Sequence, residues 1–302
     1  MSVPRPVVLD VELGTTAGSA LALLIALASP EIELLAVTTV GRESLLRARI
    51  AARWIELAGA RRVPVYAGCS VSWLGRDDFV ALGHEGEGVV EPTEEPPLGA
   101  EHAVDALRRV LCSRDDVEIV AVGPLTNLAA VLVLEPDLAA RIGRLTLLEG
   151  ANLQADPHAA QVVLSAGLSV RLVPEEVTRS LWLTRADQKS LLAAVTPLHA
   201  ALACTLEIWT PLQRQLEVRR GRRYDEDNVT FLDEVLTLHC AGDTTSCTLE
   251  TLDLEPRFHD EMLCLVEHRA PVAESHPLQR VASIRADELR ARLLDLASRL
   301  GV

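Results

Sequence analysis

The chain has 302 residues, of which 49% are hydrophobic and only 3% aromatic, and its formal net charge is −14. That balance opposes phosphate backbones and anionic lipid surfaces, so neither nucleic acid nor a membrane is an expected partner. The length fits one large α/β domain over residues 1–302, with the Leu, Val and Ala core of helices packed on a parallel sheet.

Apolar strand-like runs alternate with helix-period segments in chain order. VVLDVEL, ELLAVTTV, VPVYAG, VEIVAVGP, RLTLLEG and VRLVPEEV read as strands, and helices are expected over 19–28, 44–58, 101–112, 126–134, 157–166 and 286–300. This alternation argues a mainly parallel sheet with right-handed crossovers. GEGVVEPTEEPPLGA at 86–100 is an acidic surface loop, 185–240 reads as helices with a charged insertion, and 241–283 as irregular short strands. The end, VASIRADELRARLLDLASRL, gives one strand and a closing amphipathic helix.

Six cysteines at 69, 112, 204, 240, 247 and 264 show no CxxC spacing and read as buried thiols of a reducing cytosol. No leader pattern opens the chain and the apolar run at 20–28 is too short to span a bilayer, so a cytoplasmic protein is expected. The basic run Arg219, Arg220, Arg222 and Arg223 is flanked by Glu217, Asp225, Glu226 and Asp227, which makes it an internally paired surface segment rather than a phosphate site.

In sheets of this kind ligands sit beyond the carboxyl ends of the strands, which directs attention to 10–17, 39–44, 123–127 and 149–152. There the residues are recognisable. D-x-E-L-G-T-T-A-x-x-A-L resembles the D-x-D-P-G-x-D-D-A-x-A-L opening of the inosine/uridine-type nucleoside hydrolases. LLAVTTV, VPVYAG, GPLTN, LEG, N-x-x-A-D-P-x-A-A and VPEEVT follow in that family's order. The resemblance covers most of the chain. It implies an α/β fold with a mainly parallel sheet, Ca²⁺ in an aspartate cluster, and hydrolysis of the N-glycosidic bond of ribonucleosides.

Carried over residue by residue, the resemblance also marks departures. Asp10 matches the first aspartate of the motif, Glu12 replaces the second, and Thr16 and Ala17 stand where the adjacent aspartate pair contacts ribose and chelates calcium. Thr126 matches the residue whose carbonyl is a calcium ligand, Asp233 the distal calcium-binding aspartate, and Leu232 replaces the histidine before it. Glu43 stands in place of a sugar-contacting asparagine, H-G-x-D-G becomes His84 to Gly88, and the loop before Asn152 is shortened. Calcium takes six to eight oxygens and its affinity follows charged ligands, so losing the paired acids damages both metal binding and activation of water.

The expected site therefore has Asp10, Glu12, Glu43 and Asp233 as acid–base groups, and Thr16, His84, Asn127 and Asn152 as ligand contacts. No cofactor is expected; weakly held Ca²⁺ or Mg²⁺ would fall to Asp10, Thr126 and Asp233. Each residue has a second reading: Asp10 as a strand-end carboxylate bonded to backbone, Thr15 and Thr16 as helix caps, Glu43 as a solvent-facing helix start, Trp182 and Trp209 as packing. Converging carboxylates without a metal repel, so at least one should titrate high unless a cation lies among them. The expected function is a repurposed enzyme on a small polar or cationic substrate, with calcium-dependent ribohydrolase activity lost or strongly reduced. A non-catalytic binding protein and a genuine nucleoside hydrolase are the alternatives, and a homo-oligomer is expected.

Overall fold

Alternation along β1 (Arg5–Val11) sets up the molecule: Val7, Leu9 and Val11 enter one core, while Val8 and Asp10 face the other side of the sheet. The computed structural model describes residues 3–299 apart from 61, 76–78, 80, 92 and 269–275. After β1 come α1 (Ala17–Ala28), β2 (Ile32–Thr39), α2 (Ser44–Leu57), β3 (Val65–Ala67), α3 (Ala103–Ser113) and β4 (Val117–Val122). They are followed by α4 (Thr126–Leu134), β5 (Ile142–Leu148), α5 (Ala151–Ala155), α6 (Pro157–Leu164) and β6 (Val170–Val173). The six expected strands and six expected helices are all present, with ends shifted by a few residues; residue 300, the expected end of the last helix, lies outside the described residues.

The second half continues with α7 (Glu175–Thr178), β7 (Trp182–Thr184), α8 (Arg185–Leu191), α9 (Pro197–Arg219), β8 (Asn228–Phe231) and α10 (Asp233–Gly242). It closes with β9 (Cys247–His259), β10 (Met262–Glu267), β11 (His276–Ile284) and α11 (Ala286–Ala297). The region read as irregular short strands is instead a long antiparallel ribbon, apart from 269–275, which lie outside the described residues. Most of β9 is partly buried or exposed, so its apolar alternation is blurred and a sequence pattern shows it poorly. The small β7–β8 pair was not foreseen: β7 lies just before the stretch 185–240 and β8 within it, beside the charged insertion.

The main sheet runs β10-β9-β11-β6-β5-β4-β1-β2-β3, parallel from β3 to β11 and antiparallel beyond. One apolar cluster unites α1, α2, α9, α10 and α11 on one face, through Leu23, Trp54, Leu206, Leu236 and Leu293. The other gathers α3, α4 and α6 through Leu107, Leu128 and Val163. Residues 17–26 of α1 are all buried, so this helix is enclosed on every side. The strand order reverses at β1 and β4, and the loops beyond their carboxyl ends meet α10 and α9 there. Among the described residues no helix is long and apolar enough to cross a membrane.

Candidate functional site

Residues 8, 10 and 12 share one side of β1, and this parity sends Asp10 into the interior and Glu12 to the strand end. Asp10 is 1% exposed. Its Oδ1 accepts from the Thr38 hydroxyl at 2.7 Å and the Asn127 amide at 2.8 Å, while Oδ2 has no hydrogen-bond partner. Asn127, at the start of α4, also donates to the Thr39 carbonyl and accepts from the Cys69 backbone amide. One amide thus ties β1, β2, α4 and the loop after β3 together.

Glu12 lies above this lock, beside a cation that the sequence reading missed. Arg47, 0% exposed, donates from Nη2 to Glu12 Oε1 at 3.1 Å and from Nη1 to the Leu13 carbonyl and the Thr15 hydroxyl. Its Nε donates to the Arg42 carbonyl. The guanidinium fork is held on four oxygens, so its charge is fixed in place at Glu12. A signal for it existed. Arg47 stands on the face of α2 that carries the buried Ala48, Ala51 and Trp54.

The opposite wall comes from the first turn of α10, where Asp233 and Glu234 are adjacent. Glu234 Oε1 accepts from the Thr16 hydroxyl at 2.5 Å. The same hydroxyl accepts from the Ser19 amide, so Thr16 caps α1, the ordinary role for a threonine there. Asp233 Oδ1 has no hydrogen-bond partner.

These groups surround a cavity of about 550 Å³ whose lining includes Glu12, Thr16, Asn152, Trp209, Asp233 and Glu234. Glu149, Glu175 and Glu217 also face it, against the cations Arg179 and Arg220. Arg179 is itself paired with Glu217 at 2.6 Å and with Glu175, and Arg220 with Glu217. The cavity is therefore an acidic space of small-molecule size.

Burial raises its acids. Desolvation pushes Asp10 up to about 6 against the two hydrogen bonds on its carboxylate. Glu12 rises to about 7 through burial, with Arg47 opposing and Glu85 and Glu234 adding to the rise. Asp233 rises to about 7 through burial and then the charge of Glu234, and Glu234 is itself raised by burial against the Thr16 hydrogen bond. Arg47 beside Glu12 offsets only part of this rise, so Glu12 stays raised although a cation lies against it.

The expected site residues fall into separate places. Glu12, Thr16, Asn152 and Asp233 line the cavity. Asp10 and Asn127 lie buried and are not among its lining, and Asp10 is bonded to side chains, not to backbone. His84 borders a small adjoining cleft with Thr15 and Trp209, its Nε2 3.1 Å from the Thr15 carbonyl, which assigns the ring proton to Nε2. Glu43 is exposed at the start of α2 with a left-handed φ of 59° and is not among the lining residues. Thr126 is buried and its hydroxyl donates to Asp156, which caps α6. Trp209 faces the cavity as well as packing, with its indole N–H on Thr230.

A tightly held calcium ion does not fit this donor set. Asp10 Oδ2 and Asp233 Oδ1 have no hydrogen-bond partner and are free for a cation, but Ala17 offers no side-chain oxygen and the Thr16 hydroxyl is engaged by Glu234, so the chelating acid pair is missing. Among the described residues no group of three or more His, Cys, Asp or Glu side chains is arranged to hold a metal ion.

Comparison with known proteins bears on this site. The pattern of the family described as inosine-uridine preferring nucleoside hydrolase matches residues 7–255. An inosine-uridine preferring nucleoside hydrolase of Leishmania major is 27% identical over 99% of each chain. A pyrimidine-specific ribonucleoside hydrolase of Salmonella agona is 31% identical over 68% of this chain and 71% of its own. Among solved structures, a plant nucleoside hydrolase superposes with a TM-score of 0.85 at 22% identity, over 98% of this chain and 100% of that one.

Proposed function

This chain belongs to the inosine-uridine preferring nucleoside hydrolase family, and from that premise we propose that its cavity acts on a small polar, amine- or cation-bearing substrate by carboxylate acid–base chemistry. One observation carries the reading: Glu12 and Asp233 line the same cavity and both are raised to about 7. A group poised there exists in both protonation states at neutral pH and serves as proton donor or acceptor. Glu12, aligned by the fixed guanidinium of Arg47, takes the part of base toward an attacking water. Asp233, on the facing wall, holds the proton delivered to the leaving group. Asp10 positions the strand end from below, through Asn127 and Thr38. The lining favours a cationic over an anionic ligand, because its two arginines are already paired with glutamates.

In this reading calcium-dependent cleavage of ordinary ribonucleosides is lost or strongly reduced, since the donor set does not suit the ion. The test is turnover of a ribonucleoside panel with and without added Ca²⁺, beside amine-bearing glycosides. Calcium-stimulated ribonucleoside turnover at rates ordinary for the family would sink the proposal. Glu12→Gln and Asp233→Asn should each abolish the activity found. A genuine nucleoside hydrolase is the second reading, favoured by the full-length similarity to the Leishmania major hydrolase; the same panel decides between them.

A further inference from the structure

A carboxylate has been inserted where the chain leaves a side chain out. Gly18 is the second residue of α1, two positions after its N-cap Thr16. A Cβ on residue 18 would lie 2.1 Å from Glu234 Oε2 and 3.1 Å from its carboxyl carbon, with the Phe231 carbonyl at 3.2 Å behind. The φ of Gly18 is not in the left-handed region, so no turn geometry calls for glycine here. Glycine within a helix costs about 0.5–1 kcal/mol relative to alanine. What it provides at this point is room for the head of Glu234, which reaches across from α10 and is fastened by the Thr16 hydroxyl at 2.5 Å.

The surroundings say what the carboxylate is for. Glu234 is 8% exposed, yet it lines the cavity beside Glu12 and Asp233. Its hydrogen bond comes from a neutral hydroxyl, and the salt bridges of the cavity wall bind Arg179 and Arg220 to Glu175 and Glu217 instead. Arg47 is directed to Glu12. A buried carboxylate with a neutral partner gains most from a ligand that brings a positive charge, because a charge-assisted contact there replaces solvation that burial has removed.

We propose that Glu234, seated in the notch left by Gly18 and oriented by Thr16, is the carboxylate that recognises the cationic centre of the ligand, and that Gly18 is its positioning residue. The inference rests on the proposed function and adds to it the residue that sets specificity. It assigns ligand charge recognition to α10 and α1 together, and leaves proton transfer to Glu12 and Asp233.

The experiment measures binding, independently of turnover. Calorimetry compares a hydroxylated pyrrolidine, cationic at neutral pH, with the tetrahydrofuran of the same shape in which oxygen replaces the ring nitrogen. The wild type is expected to bind the cation about a hundredfold more tightly than the ether. Glu234→Gln keeps the shape and hydrogen bonding of the side chain and should cut that ratio about tenfold with little effect on the ether. Gly18→Ala, which keeps Glu234 but displaces its head, should do the same, and should add nothing in the Glu234→Gln background. A ratio that survives Glu234→Gln overturns the assignment while leaving the acidic cavity reading in place. A wild type that shows no preference for the cation overturns that reading and this inference with it.

Discussion

Arg47 and Glu12 form an ion pair with unequal burial: Nη2 lies 3.1 Å from Oε1, the arginine side chain is 1% exposed and the glutamate 20%. The arginine is therefore the member that cannot be released to solvent, and its loss leaves three neutral oxygens and the Glu12 carboxylate without their donor. Removing one partner of a buried pair costs about 3–5 kcal/mol. Arg47→Met should destabilise the fold by that order in denaturant unfolding. Arg47→Lys should recover only part, because one ammonium cannot span the Leu13, Arg42, Thr15 and Glu12 oxygens together.

The contribution of three buried acids to stability should fall as pH rises through the acid range. Asp10 moves from 3.8 to about 6, Asp233 from 3.8 to about 7 and Glu12 from 4.5 to about 7. Each native carboxyl keeps its proton where the unfolded chain has lost it, so the contribution is complete below about pH 4 and lost as pH approaches 7. Groups held low, such as Asp243, act in the opposite sense, so the diagnostic is a difference. Asp10→Asn should make unfolding free energy depend less on pH between 4 and 6 than in the wild type. An unchanged slope would show that Asp10 titrates normally.

Asn127→Ala should be among the most damaging substitutions away from the cavity. It removes two donors and an acceptor and leaves the Asp10 carboxylate, the Thr39 carbonyl and the Cys69 amide short of a partner inside the protein. Unsatisfied buried groups cost about 1–3 kcal/mol each, and a total of about 3 kcal/mol is expected in melting or denaturant curves.

Calcium binding should be restorable by chemistry alone. The wild type should show no rise in melting temperature with Ca²⁺. A triple substitution, Thr16→Asp, Ala17→Asp and Glu234→Gln, returns the paired acids and withdraws the neighbouring carboxylate that would repel them. Calcium at a hundred times its dissociation constant should then stabilise the variant by about 2.7 kcal/mol. A triple variant indifferent to Ca²⁺ would place the obstacle elsewhere in the site.

The parallel half of the sheet was legible because its strands are short apolar runs and its helices keep a clear period, as in ELLAVTTV followed by Ser44–Leu57. The pocket acids at 12 and 233 were legible through the resemblance. Asp10 was read as meeting backbone or facing the pocket, whereas its partner Asn127 lies 117 positions away, a pairing no local pattern displays. Glu234 was overlooked because an acid in a helix's first turn already has an ordinary explanation in the helix dipole. The β9–β10 ribbon was underestimated because its partly solvated faces carry charges that break alternation.

The contact between residue 18 and residue 234 has a hereditary consequence. A methyl group at 18 and the head of Glu234 as seated here meet at 2.1 Å, so a larger residue at 18 forces that head to move, whereas glycine at 18 leaves position 234 unconstrained. Across related chains the two positions should covary: glutamate at the second site should be found with glycine at the first, and chains with a larger residue at 18 should carry something shorter or differently directed at 234. Such a pair would sort the family's members by ligand charge from sequence alone.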